Sequence, residues 1–138
     1  MSTCEAKRSR IDLSGTNISG TSAAGELPDN FPELIRSNGQ TLRTWAQRAI
    51  PAAQVTPDST VPYLRWLDFR WLTGHPTELC TKLSEQENLL LAQGDGRGRG
   101  MSRHVRINLA CPAPVLAEAL SRLERAIPAY EQFALARC

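Results

Sequence analysis

The stretch Tyr63-Leu64-Arg65-Trp66-Leu67-Asp68-Phe69 decides the fold. Alternation puts Tyr63, Leu67 and Phe69 on one face of a strand, with Arg65 beside them, and Leu64, Trp66 and Asp68 on the other. A second run, His104-Val105-Arg106-Ile107-Asn108-Leu109-Ala110, alternates in the same way and stops at Pro112. Between them, the break Gly74-His75-Pro76-Thr77 starts a helix with Leu79, Cys80, Leu83, Leu90 and Leu91 as a partial apolar stripe. Gly94-Asp95-Gly96-Arg97-Gly98-Arg99-Gly100 reads as a loop, because alternating glycines support neither helix nor strand.

Upstream, Asp29 or Asn30 caps a helix whose first turn accepts Pro32. Phe31, Leu34, Ile35, Leu42, Trp45, Ala46 and Ala49 recur at helical spacing until Pro51 closes the run, and Gln54-Val55-Thr56 reads as a short strand. Downstream, Pro114 sits in the first turn of a final helix with Leu116, Leu120, Leu123 and Ile127 on its apolar face. Glu118 and Arg122 form an i,i+4 pair that reads as a surface contact. The expected fold is therefore an α/β (α+β) two-layer sandwich, with a small sheet of about three strands and helices mainly on one face.

The chain has 138 residues, one domain's worth. Residues 1–28 are rich in Ser, Thr and Gly without apolar periodicity and read as a disordered or weakly ordered lead; residues 29–138 form the domain. No apolar run approaches the ~20 residues that cross a bilayer, and the first residues lack the apolar core of a secretory signal, which predicts a cytoplasmic protein without membrane contact. A net charge of +2 excludes a strongly basic nucleic-acid binder. Every basic residue is arginine except Lys7 and Lys82. The four cysteines, Cys4, Cys80, Cys111 and Cys138, are widely spread and read as reduced, partly buried thiols.

Most candidate motifs read as structural. The glycine-rich segment lacks the lysine and the following helix of a phosphate loop, and its two arginines are a thin basis for RNA binding. His75 and His104 lie far apart without metal-spaced partners, so neither a metal site nor a catalytic triad is indicated. Lys82, among Glu78 and Glu85–Glu87, suits a solvated helix face. Arg106 is different. It interrupts an apolar strand, where a charge is costly unless it meets a partner or a ligand. Fixed on a strand, it offers a rigid fork to a carboxylate; a structural salt bridge to Asp68 on the neighbouring strand is an equal reading.

Tyr63-Leu64-Arg65-Trp66-Leu67-Asp68-Phe69-Arg70, Val105-Arg106-Ile107-Asn108-Leu109-Ala110-Cys111-Pro112 and Leu116-Ala117-Glu118-Ala119-Leu120-Ser121-Arg122-Leu123 stand in an order that resembles a specific family. They are similar to the C-terminal small domain of fold-type I (class I/II aminotransferase) pyridoxal-phosphate enzymes, and above all to the cystathionine β-lyase-like C–S lyases. Asn38 followed by Leu42 fits the same pattern on the preceding helix. The resemblance runs from about Pro32 to Pro128. It implies that Arg106 grips the α-carboxylate of an amino-acid substrate, and that the parent chemistry removes an α-proton and eliminates a thiol with the cofactor ring as electron sink.

The family's catalytic lysine, its ring-nitrogen aspartate and its phosphate-binding residues belong to a large domain that is not recognisable in this sequence. The family's glycine-phenylalanine segment is replaced by Gly96-Arg97-Gly98-Arg99-Gly100, and Val61-Pro62 is inserted before Tyr63. The expectation is thus a truncated or split substrate-carboxylate-binding domain of a C–S lyase or aminotransferase, inactive alone. Pyridoxal phosphate is implied only by the resemblance and is not expected to be bound by this chain by itself. A large-domain chain or a second copy of this chain is the implied partner. The competing function is a non-catalytic interaction module derived from such an enzyme.

Overall fold

The computed structural model describes residues 9–15, 31–51, 53–57, 61–94 and 103–137. The elements in chain order are β1 (Ile11–Asp12), α1 (Phe31–Ala49), β2 (Val55–Pro57), β3 (Leu64–Asp68), α2 (Pro76–Lys82), β4 (Leu89–Leu90), β5 (Ala92–Gln93), β6 (His104–Asn108) and α3 (Ala113–Arg137). A 4-stranded sheet has the order β2-β3-β6-β5, and all its pairings are antiparallel. A separate 2-stranded sheet joins β1 to β4 in parallel. The mixed α/β architecture matches the sequence expectation, with short β1, β4 and β5 added to the strands expected from alternation.

The two strands that announced the fold are neighbours. Leu64, Arg65, Trp66, Leu67 and Asp68 stand opposite Asn108, Ile107, Arg106, Val105 and His104. One face of this ladder carries Leu67, Val105 and Ile107, which join Ile35, Leu42, Trp45 and Ala46 of α1 and Leu116, Leu120, Leu123 and Ile127 of α3 in the hydrophobic core. The other face carries Leu64, Trp66, Asp68, His104, Arg106 and Asn108, because residues two apart on a strand point the same way.

Polar staples hold the helices in place. Asn38, fully buried on α1, donates from Nδ2 to the carbonyls of Leu109 (2.8 Å) and Cys111 (2.9 Å). These carbonyls lie where the chain leaves β6, so one amide fixes α1 against the β6–α3 connection. At the far end of α1, Arg48 meets Glu124 of α3 with two bonds of 3.0 Å, and Trp45 Nε1 donates to the same carboxylate at 3.0 Å.

Two expectations are corrected. The helix that begins at Pro76 does not reach Leu90 and Leu91. It widens into a π-helical turn over Leu83–Glu87 and ends at Asn88, whose left-handed backbone (φ 55°) turns the chain into β4. An asparagine tolerates that conformation where a bulkier residue would not. Second, Arg122 is not on the surface: it is 3% exposed, and besides its 2.8 Å contact with Glu118 its Nη1 donates to the carbonyls of Ser9 (2.8 Å) and Glu87 (3.0 Å). Within the stretch read as a lead, residues 9–15 lie against the domain. Ile11 and Leu13 are buried, and their amides donate to the carbonyls of Asn88 and Leu90. Two apolar side chains in so short a segment are too few to show periodicity, which is why composition alone missed them. The rest of residues 1–28, the Asp95–Gly100 segment, Cys4, Lys7 and Cys138 lie outside the described residues.

Candidate functional site

The site is the polar face of the β3–β6 ladder. Arg106 stands opposite Trp66 on β3 and Ala92 on β5, so it is flanked by strands on both sides. It is 6% exposed, and its guanidinium carbon lies 5.7 Å from the centre of the Trp66 ring. An arginine over an indole face is attracted by the ring's electron-rich face. Its Nη2 donates to the backbone carbonyl of Ser14 at 2.9 Å. Two residues along and on the same face, Asn108 donates from Nδ2 to the carbonyl of Gly15 at 3.1 Å, while its Oδ1 accepts from Ala110 N at 2.8 Å.

Asp68 does not supply the salt bridge to Arg106 that the sequence left open. It lies two positions away on the neighbouring strand and engages Arg70 instead, at 2.7 Å, with the Arg70 amide also donating to it at 2.9 Å. The Arg70 guanidinium, the Arg70 amide and His104, whose Nε2 is 4.0 Å away, hold the Asp68 carboxyl below its ordinary range against the opposing effect of burial. His104 Nδ1 is buried and has no hydrogen-bond partner among the described residues.

The remaining candidates resolve as structural groups. His75 caps α2, its Nδ1 accepting from Thr77 N at 3.1 Å, and its own amide donates to the Tyr130 hydroxyl at 2.9 Å. Lys82 places its ammonium 4.1 Å from the centre of the Phe133 ring. Burial in apolar surroundings pushes the Cys80 thiol up to about 12 and the Cys111 thiol up to about 11, so neither is a thiolate nucleophile near neutral pH. No group of metal-ligating side chains is present among the described residues. Sequence reasoning singled out Arg106 but missed Asn108, Ser14 and Gly15. The alternation that exposed Arg106 also puts Asn108 on the same face; nothing in the sequence joins the Ser14–Gly15 backbone to it.

With this geometry in view, comparison with known proteins is specific. Of this chain, 72% superposes on 25% of a PLP-bound protein from Clostridium difficile 630 described as an aminotransferase, at 35% identity and a TM-score of 0.62. Cystalysin from Treponema denticola, which contains a pyridoxal 5′-phosphate cofactor, matches 74% of the chain over 26% of its own, at 26% identity and a TM-score of 0.65. A protein of Corynebacterium diphtheriae described as a PLP-dependent β-cystathionase matches 70% of the chain at 30% identity and a TM-score of 0.59. No protein-family model and no curated protein sequence matches the chain. The chain therefore resembles the PLP-dependent aminotransferases and C–S lyases of the cystathionine β-lyase-like kind. It spans about a quarter of the length of the solved structures it matches.

The described residues do not fit a pyridoxal-phosphate cradle. Lys82, the one lysine among them, is engaged with the Phe133 ring, and the Asp68 carboxylate is committed to Arg70. The Arg106 guanidinium and the Asn108 amide stand on the same face of β6, and each donates to a backbone carbonyl, of Ser14 and of Gly15. No helix among the described residues is long and apolar enough to cross a membrane.

Proposed function

We propose that these residues are the substrate-carboxylate-binding small domain of a cytoplasmic PLP-dependent C–S lyase or aminotransferase, and that they are inactive without its large domain. The observation that carries this reading is Arg106. It is a 6% exposed guanidinium, beside Trp66 on a central strand, in a fold shared with PLP-dependent enzymes. A buried arginine is costly to keep, and an anionic ligand offsets that cost in a way that a neutral backbone carbonyl does so only weakly.

The activity that goes with the fold needs an activated lysine, a carboxylate on the cofactor's ring nitrogen and a phosphate cradle. In this reading all three come from a large domain outside these 138 residues. The test has two arms. Purified protein mixed with pyridoxal phosphate and reduced with borohydride is expected to show scattered, substoichiometric lysine labelling and no thiol release from cystathionine. A single stoichiometric adduct at Lys82, with thiol release that Arg106→Ala abolishes, overturns the claim of inactivity. In the second arm, tagged chain is used to recover partners. Recovery of a chain with the lysine-bearing large domain supports the reading; recovery only of unrelated proteins favours an interaction module instead.

A further inference from the structure

Residues 9–15 form a strap across the polar face. Ile11 N and Leu13 N donate to the carbonyls of Asn88 and Leu90, the Leu13 carbonyl accepts from Asn108 N, and the Ser9 carbonyl accepts from the buried Arg122. So tethered, the strap brings two successive carbonyls, Ser14 and Gly15, onto the two side chains that would receive a carboxylate: Ser14 O on Arg106 Nη2 at 2.9 Å and Gly15 O on Asn108 Nδ2 at 3.1 Å. A carboxylate also presents two adjacent acceptor oxygens. The strap thus imitates the ligand with neutral groups.

We propose that Arg106 and Asn108 form a two-donor carboxylate fork, and that the strap is its autoinhibitory cap, released when an amino-acid carboxylate displaces the Ser14 and Gly15 carbonyls. This rests on the carboxylate-binding reading above and adds Asn108 and the cap to it. Exchange is favourable in kind, because a carboxylate brings a negative charge to the Arg106 guanidinium and to the Asn108 amide that the neutral Ser14 and Gly15 carbonyls lack. Cavities of about 360 Å³ and about 270 Å³ border the strap, one beside Arg10, Ile11 and Asp12 and the other beside Ser14.

Asp12 is the trigger residue. Its carboxylate accepts from Ser14 N at 3.0 Å and from Ser14 Oγ at 2.5 Å, which closes the turn that aims the Ser14 carbonyl at Arg106. The side chain is exposed, so its removal leaves the core intact. The experiment titrates the full chain with propionate, using propionamide as the uncharged control, and follows Arg106 side-chain and strap amide signals by NMR. Asp12→Ala is expected to speed hydrogen exchange at Leu13 and to tighten propionate binding ~5-fold, about the weight of one net hydrogen bond. Asn108→Leu in the Asp12→Ala background is expected to reverse the gain, and Arg106→Met to abolish binding. If Leu13 exchange rises while the affinity stays put and Arg106→Met still abolishes binding, the cap is refuted and the carboxylate reading survives. Unchanged Leu13 exchange refutes the role of Asp12. If no propionate binding depends on Arg106 in any variant, the carboxylate reading itself falls.

Discussion

The two faces of the β3–β6 ladder are built from alternate residues of the same strands, yet they are organised on opposite terms. The helix-facing side holds Leu67, Val105 and Ile107, each at most 1% exposed, in one continuous apolar cluster with α1 and α3. The other side buries an aspartate, an arginine and an asparagine almost as completely, set against backbone carbonyls, an exposed arginine and an indole ring. A face shaped for stability alone would carry apolar residues on both sides, since buried charges return little net stability. The difference separates the side that holds the fold together from the side on which the proposed site lies, and each variant probes one of the two.

The largest effect is expected on the helix side. Leu67→Ala removes a fully buried side chain from the centre of the cluster and should cost about 2–5 kcal/mol, read from the midpoint of a denaturant melt. A cost under about 1 kcal/mol would mean that the cluster is not the stabilising side. Next comes the staple between α1 and the β6–α3 connection. Asn38→Ala strands the carbonyls of Leu109 and Cys111 in a buried position and should cost about 1–3 kcal/mol. The same melt reports it, and protection of the α1 amides against hydrogen exchange should fall with it.

On the polar side, Arg106→Met keeps most of the packed volume and removes the charge. Its expected cost is about 0–1 kcal/mol, because the lost bond to the Ser14 carbonyl is offset by no longer burying a guanidinium. The contrast with Leu67→Ala is the point. A small loss at so buried and costly a residue is the outcome that the proposed carboxylate-binding role of Arg106 expects. A loss comparable to that of Leu67→Ala would make Arg106 a structural group and collapse the distinction between the faces.

Much of this contrast was legible in the sequence. Alternation in Tyr63–Phe69 and His104–Ala110 located both strands and the anomaly at Arg106, and helical spacing placed α1 and α3. What stayed hidden depends on contacts distant in sequence. The bond from Arg122 to Ser9 spans 113 positions and that from Arg106 to Ser14 spans 92. Arg122 therefore looked like half of an ordinary helix-surface pair. The end of α2 was hidden for a local reason: Leu90 and Leu91 continue an apolar stripe whose break depends on one left-handed residue, Asn88. The strap was missed because it earns its order from partners on β4, β6 and α3 and not from its own composition.

The smallest expected effect concerns Asp68, and it is specific to acid. Its carboxyl is held below the ordinary value of 3.8, first by the Arg70 side chain, then by the Arg70 amide and by His104, with burial opposing them. A carboxyl with a depressed pKa in the folded state adds stability that is fully present above the unfolded value and is lost as the pH falls through the folded value. Asp68→Asn should therefore lower the melting temperature slightly at pH 7, and the gap to the parent should close as the pH drops from 4 towards 2. The effect is small because the partner, Arg70, leaves 69% of its side chain in water, where solvent screens the attraction. Melting curves of the parent and of Asp68→Asn across that range decide the matter. A gap that persists unchanged to pH 2 would mean that Asp68 acts through shape and neutral hydrogen bonds, and the polar face would then owe nothing to charge at that position.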